Sequence, residues 1–351
     1  MSQALGRWAL AFAVASASFC AMAADATPWP TKPVRILVGF PPGNSTDISA
    51  RLMASDLEKA TGQPFVVENR PGAGGTIAID LAARSGKEGE TVLFTSTGPF
   101  AIGPHIYKEL KSKPLSDFAP VAMVGRAPLL LVVAADSPYK TLADVVEAGR
   151  DPKTPLNYAS IGNGTTNHLA MELFKSRTDT HYSHVPYKGS GPALTDLIGG
   201  RVQLMFDSPA PLLPLIRDGK LRVLATGGAE SYKETPEAPT IAATYPGFEV
   251  GTWTMFAFPA GTPDAIVQKM NAAVMPLLGN PALAEKSRTA GIELFEPQTA
   301  AQAGERYAQD FKRWGEAVKS GCPAPACLFF THSSWHNTHR ADLRAPRWIR
   351  I

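Results

Sequence analysis

Residues 34–51 read VRILVGFPPGNSTDISAR. Val34-Arg35-Ile36-Leu37-Val38 is an apolar run of strand length, and it feeds into two prolines, a glycine and a polar cluster before a helix-period segment begins. Strand, tight turn and helix start together form the unit from which α/β proteins are built. The same unit is where such proteins hold anions, because the first-turn N–H groups lack partners and the helix dipole is positive there. A dinucleotide site needs G-x-G-x-x-G and a phosphate loop needs G-x-x-x-x-G-K-[ST]. Here Gly43 is followed by Asn44, and no lysine appears until Lys59. Nucleotide phosphate is therefore excluded by spacing, and two readings stay open: a capped helix behind a Pro-Pro turn, or a turn that holds another anion.

The alternation continues along the chain. Strands are expected at 34–38, 64–68, 92–95, 121–124, 129–134, 156–159, 202–206, 222–225 and 253–258. Helices are expected near 47–60, 76–84, 141–149, 167–177, 190–199, 211–218, 263–278, 281–290 and 299–319. This pattern predicts an α/β fold with parallel sheets covered by helices. Thr262-Pro263-Asp264 reads as a helix cap, and Gly62 and Gly219 read as helix stops. Apolar runs meet glycines and prolines near 124–129 and 248–254, where a chain leaving one domain and later returning would cross.

Residues 1–23 carry one basic residue, Arg7, then an apolar run from Trp8 to Cys20 and the A-x-A site Ala21-Met22-Ala23. That layout predicts a signal peptide cleaved after Ala23. The run falls short of the roughly 20 apolar residues a membrane span needs, and Phe19 before Cys20 argues against a lipoprotein. Of the formal net charge of +3, +1 lies in residues 1–23 and +3 in residues 322–351, which leaves −1 on the body between them. Such a balance gives no reason to expect nucleic acid. The three cysteines all lie outside residues 24–321, so the body needs neither disulfides nor thiolate metal ligands.

Four further junctions resemble the first: ENRPGAGGTI at 68–77, TSTGPF at 95–100, LNYASIGNGTTNHLAM at 156–171 and HVPYKGSG at 184–191. Glycines there let a ligand approach the backbone, and hydroxyls such as Ser96, Thr97, Thr165 and Thr166 add donors. His168, in the first turn of a helix, reads as a structural hydrogen-bonder before a catalytic base. No G-x-S-x-G elbow and no H-E-x-x-H is present. His181 and His184 lie three apart in extended chain, which puts them on opposite faces and speaks against a metal site.

Five segments then resemble one family in order: WPTKPVRILVGFPPGNSTDISARLM, VVENRPGAGGTIA, GNGTTNHLAMELF, VPYKGSGPALTDLIGGRVQLMFDS and FPAGTPDAIVQKMNAAV. They are similar to the substrate-binding receptors of tripartite tricarboxylate transporters, the Bug family, over roughly residues 28–319. The resemblance implies a periplasmic binding protein type II-like fold, two α/β domains joined by crossing strands. It divides the chain into 24–125 plus 251–321 for domain 1 and 126–250 for domain 2. It also implies a monomeric, non-catalytic receptor without cofactor or metal, which binds a small carboxylate. That ligand would be a di- or tricarboxylate, an acidic amino acid or an aromatic carboxylate, passed to a membrane permease with large and small subunits. A sensory receptor docking on a signalling protein is the alternative, and an enzyme on the same fold a weaker one.

By the same resemblance, one clamp on the ligand is expected at Phe40, Pro42, Gly43, Asn44, Ser45, Thr46 and Asp47. The opposing clamp is expected at Gly162, Gly164, Thr165, Thr166 and His168, with Lys188 and Gly189 nearby. Thr76, Ser96, Thr97 and Asp207 join the list, Asp207 as a loop organiser first and a ligand contact second. Asn44 and Thr76 depart from the family pattern of glycine and asparagine at those places. Residues 322–351 look unlike the rest and read as a frame-shifted or disordered tail, with Cys322 and Cys327 close enough in sequence to pair.

Overall fold

The computed structural model describes residues 28–107 and 110–319. The leader expected over 1–23 and the tail at 322–351, with Cys322 and Cys327, lie outside those residues. The strands are β1 Val34–Val38, β2 Phe65–Asn69, β3 Thr91–Ser96, β4 Phe118–Pro128, β5 Leu130–Ala134, β6 Leu156–Ser160, β7 Tyr182–Pro186, β8 Leu204–Asp207, β9 Leu221–Thr226, β10 Gly251–Pro259 and β11 Glu293–Leu294. The principal helices are α1 Ser45–Thr61, α2 Thr76–Ala83, α3 Leu142–Ala148, α4 Thr166–Thr178, α5 Ser190–Ile198, α6 Pro209–Arg217, α7 Asp264–Leu278, α8 Pro281–Thr289 and α9 Ala300–Lys319.

Local signals account for most of these ends. Gly62 stops α1 in the left-handed region at φ 72°, its N–H bonded to Glu58 O. Thr141 and Asp144 close a reciprocal capping box at α3. At α7 the expectation fails: the Thr262 hydroxyl donates 2.8 Å back to Pro259 O, so Pro263 holds the cap position with no side-chain bond. Proline's fixed φ starts that helix instead.

The strands form two sheets, ordered β11-β4-β10-β3-β1-β2 and β7-β6-β8-β5-β9. Parallel pairing holds for β1 with β2 and β3, and for β6 with β7 and β8. The expectation of wholly parallel sheets is corrected by β10, antiparallel to β3 and β4, and by β5, antiparallel to β8 and β9. A parallel neighbour requires a helical crossover. A strand arriving directly from the other sheet enters from the opposite end and needs none. The chain changes sheets at Leu129 and again at Val250; Leu129 N–H donates to Val250 O, and Gly227 bridges the two passages by donating to Leu129 O and accepting from Val250 N–H.

Each sheet has an apolar layer on both faces. Along β10, Trp253, Met255 and Ala257 enter one layer, while Phe256 and Phe258 enter the other. In the second sheet, Leu131 and Val133 face one cluster and Leu130 and Val132 the opposite one. Each sheet with its helices is a lobe. Two side chains cross over: Phe40, at the end of β1, lies in the second lobe's cluster with Ala159 and Ile161, and Leu169 of α4 packs against the first lobe's cluster. Among the described residues no helix is long and apolar enough to cross a membrane.

Candidate functional site

Between the lobes lies a tight cavity that leaves about 20 Å³ of free space, room for little more than one water. Three helices begin at it. Ser45 and Thr46 open α1, Thr166 and Asn167 open α4, and Ser208 precedes α6. The N-terminus of each is a positive pole with unpaired N–H groups.

The first clamp is held by Asp47. Its carboxylate accepts from Gly43 N–H at 3.0 Å, Asn69 Nδ2 at 2.8 Å and Arg51 Nε at 3.0 Å. Asn69 Nδ2 also reaches Phe40 O at 2.8 Å. Asp47 is thereby a buckle between turn, helix and neighbouring strand, set back from the cavity. Gly43 supplies the turn's left-handed residue at φ 83°. Phe40, Asn44, Ser45 and Thr46 line the cavity, whereas Pro42 and Gly43 are exposed beside it.

Asn44 does two jobs. Its Oδ1 caps α1 by accepting from Thr46 N–H at 2.9 Å, and its Nδ2 donates across the cleft to Ser190 Oγ at 3.4 Å. Asn44→Ala is expected to lower stability by about 1 kcal/mol through the lost cap. Asn44→Gly should cost only a few tenths of a kcal/mol while also removing the bond to Ser190. Urea unfolding of both, each with and without ligand, separates the cap from the cross-cleft bond.

The second clamp turns on Gly162 and Gly164, at φ 140° and 66°. The Thr165 hydroxyl donates to Gly162 O at 2.7 Å, and Gly164 N–H donates to His168 Nδ1 at 3.1 Å. The His168 ring stacks on His184 at 4.1 Å, and His184 Nε2 meets Ser160 Oγ at 2.6 Å. Burial lowers both imidazole pKa values, that of His184 to about 4, so at neutral pH His168 keeps the lone pair that holds the loop. Thr165 and Thr166 line the cavity, with Gly162, Gly164 and His168 behind them.

Of the remaining expected residues, Ser96 and Asp207 line the cavity. Thr97 lies behind, its hydroxyl accepting from Trp253 N–H at 2.9 Å. Thr76 opens α2 and donates to Ala73 O at 2.9 Å. Lys188 is exposed and Gly189 packs toward Pro41 of the first lobe; neither lines the cavity.

The cavity also takes Gly98, Pro99, Leu129, Ile161, Asn167, Ser208 and Thr252, which the sequence reading did not single out. Gly98–Ile102 forms a wide turn in which Gly103 N–H bonds to Gly98 O, a geometry that recurs at functional sites. A signal for Ser208 was present: serine followed by Pro209 is a helix cap with a first-turn proline. Asp207 is the one ionisable group among the described residues lining the cavity, and it is 1% exposed. Burial pushes its pKa up to about 6, against the hydrogen bonds offered by Ser190, Ser208 and Asn167. Hydroxyls and helix N-termini on otherwise uncharged walls suit an anion small enough to be enclosed. Among the described residues no group of three or more His, Cys, Asp or Glu could hold a metal.

Residues 49–321 match the family model described as tripartite tricarboxylate transporter family receptor. BugT of Bordetella pertussis is 35% identical over 297 residues, 84% of this chain and 91% of that one. Among solved structures, R. palustris Rpa4515 with adipate has a TM-score of 0.79 and 35% identity, covering 83% of this chain and 97% of that chain. MatC from Rhodopseudomonas palustris with bound malate has a TM-score of 0.78 and 31% identity, covering 83% and 100%.

Proposed function

The chain belongs to the tripartite tricarboxylate transporter receptor family, and from that premise we propose that it is an exported, monomeric, non-catalytic receptor for a small carboxylate. In this reading the signal peptide of 1–23 sends it to the periplasm. The lobes are two domains, 24–125 plus 251–321 and 126–250, and they close over the ligand. The loaded receptor docks on a membrane permease with large and small subunits. The observation that carries the reading is the meeting of three helix N-termini and their hydroxyls at a cavity whose walls hold no cation among the described residues. Carboxylate charge is met there by N–H dipoles in a water-poor space, so the ligand is gripped and can leave intact. That relatives are described with adipate and with malate supports the carboxylate class. Closure follows from the ligand's higher affinity for the closed arrangement.

Refolded protein freed of co-purified ligand is expected to bind at least one of citrate, succinate, glutamate, adipate, terephthalate or nicotinate in calorimetry, with no new mass by mass spectrometry. A turnover product would overturn the non-catalytic reading, and silence across the panel would overturn the carboxylate class.

A further inference from the structure

Asp207 is an unusual wall for an anion site. It ends β8 at the cavity, and its Oδ1 is fully engaged: Asn167 Nδ2 donates at 2.9 Å, Ser208 N–H at 2.8 Å and Ser208 Oγ at 3.4 Å. Asn167 is itself locked by a second bond to Phe206 O at 2.9 Å. The carboxyl group therefore cannot rotate freely, and Oδ1 is taken up by these donors in a residue that lines the cavity. Oδ2 is buried and accepts no hydrogen bond of normal geometry from the protein; the Ser190 hydroxyl, which lies against the same carboxyl group while accepting from Asn44 Nδ2, is the protein donor a ligand would displace there.

A buried polar atom without a partner is costly, and in a binding site it marks what the ligand must bring. The carboxylate of a ligand is already provided for at the N-termini of α1 and α4. A ligand with only carboxylates and methylenes would then leave Oδ2 facing either carbon or another lone pair. Neither satisfies an acceptor, and a second carboxylate adds like-charge repulsion at close range. A hydroxyl or an ammonium satisfies it directly. We infer that Asp207 Oδ2 reads a hydrogen-bond donor on the ligand, so the site prefers hydroxy- or amino-carboxylates to plain acids of the same skeleton.

This inference rests on the carboxylate-receptor reading and narrows it. Sites built to bond a hydroxyl or amine discriminate strongly against analogues lacking it, because the protein's own polar atom is then stranded. Its partners also predict what one substitution does. In Asp207→Asn the side-chain oxygen must stay with the Asn167 and Ser208 donors, so the amide NH₂ takes the place of Oδ2. An acceptor becomes a donor, and the preference should invert.

The test is calorimetry at pH 7.5 on ligand-free full chain with succinate against malate and aspartate, and glutarate against 2-hydroxyglutarate and glutamate. A donor-bearing acid is expected to bind at least about tenfold more tightly than its plain partner. Malate or 2-hydroxyglutarate ahead assigns the donor as hydroxyl, and aspartate or glutamate ahead assigns it as ammonium. Asp207→Asn, checked for folding by thermal melting, should reverse the order. The wild-type comparison stands alone if the variant does not fold. Equal or tighter binding of the plain acids, with or without proton uptake, overturns the inference, as does an unchanged preference in the variant. If none of these six binds while citrate, adipate, terephthalate or nicotinate does, the receptor reading survives and this inference falls. If no carboxylate binds at all, the receptor reading falls with it.

Discussion

Gly98→Val is expected to fold as the wild type does and to lose carboxylate affinity by about a hundredfold or more. Gly98 sits in the first lobe at an ordinary φ, so a side chain there brings no backbone strain. A Cβ at that place would lie 3.1 Å from Thr166 N, 3.3 Å from Thr165 Cα and 3.3 Å from Thr166 Oγ1, all in the second lobe. Those neighbours are the second clamp itself. The added methyl groups occupy the ligand's space and hold the clamp away from the first. Loss of two charge-assisted hydrogen bonds at roughly 1.5–3 kcal/mol each gives the stated factor. Gly164 and Gly189 also abut the opposite lobe, at Tyr107 and Pro41, but both have positive φ. Substitution there would mix strain with obstruction, which makes Gly98 the cleaner site. Calorimetry on the variant, with melting to confirm folding, checks the outcome; near-normal affinity would refute the placement of the clamps.

The second large effect concerns stability. Asp207→Asn is expected to make the ligand-free protein more stable than wild type at pH 8, by up to about 3 kcal/mol, and no more stable near pH 4. Burial raises the Asp207 pKa from 3.8 to about 6, so the folded protein holds the proton more tightly than the unfolded chain does. That contribution to stability is complete below about pH 4 and is lost as pH rises through about 6. Asparagine imitates the protonated carboxyl at every pH. The difference between wild type and variant in urea unfolding should therefore open between pH 4 and pH 7. A difference independent of pH would show that the carboxylate is not held uncomfortably in the empty site. Carrying such a group is the kind of local cost that binding sites often retain.

Much of the fold was legible because it rests on local pattern. The run at 34–38 became β1 unchanged, and the nine expected helices all form with ends shifted by a residue or two. Sheet direction was less legible: the antiparallel course of β5 and β10 depends on which sheet the chain has just left, and no local residue records that. For the site, the turns were legible and the side-chain directions were not. Asp47, His168 and Thr97 sit in the right segments, yet each turns its polar atoms to the backbone that shapes the clamps. Thr252, Leu129 and Ile161 reach the cavity only because distant segments meet there.

Phe40 gives the closed arrangement a source of energy that owes nothing to the ligand. Its ring belongs to the second lobe's apolar cluster while its backbone belongs to the first. Parting the lobes must draw the ring into water, at roughly 1.5–3 kcal/mol for a fully buried side chain of this kind. The empty receptor is in that sense spring-loaded toward shutting, so less of a ligand's binding energy is diverted into moving the lobes. The same spring, with Leu169 of α4 pressed the other way into the first lobe's cluster, slows reopening, because both side chains must be wetted for the lobes to part.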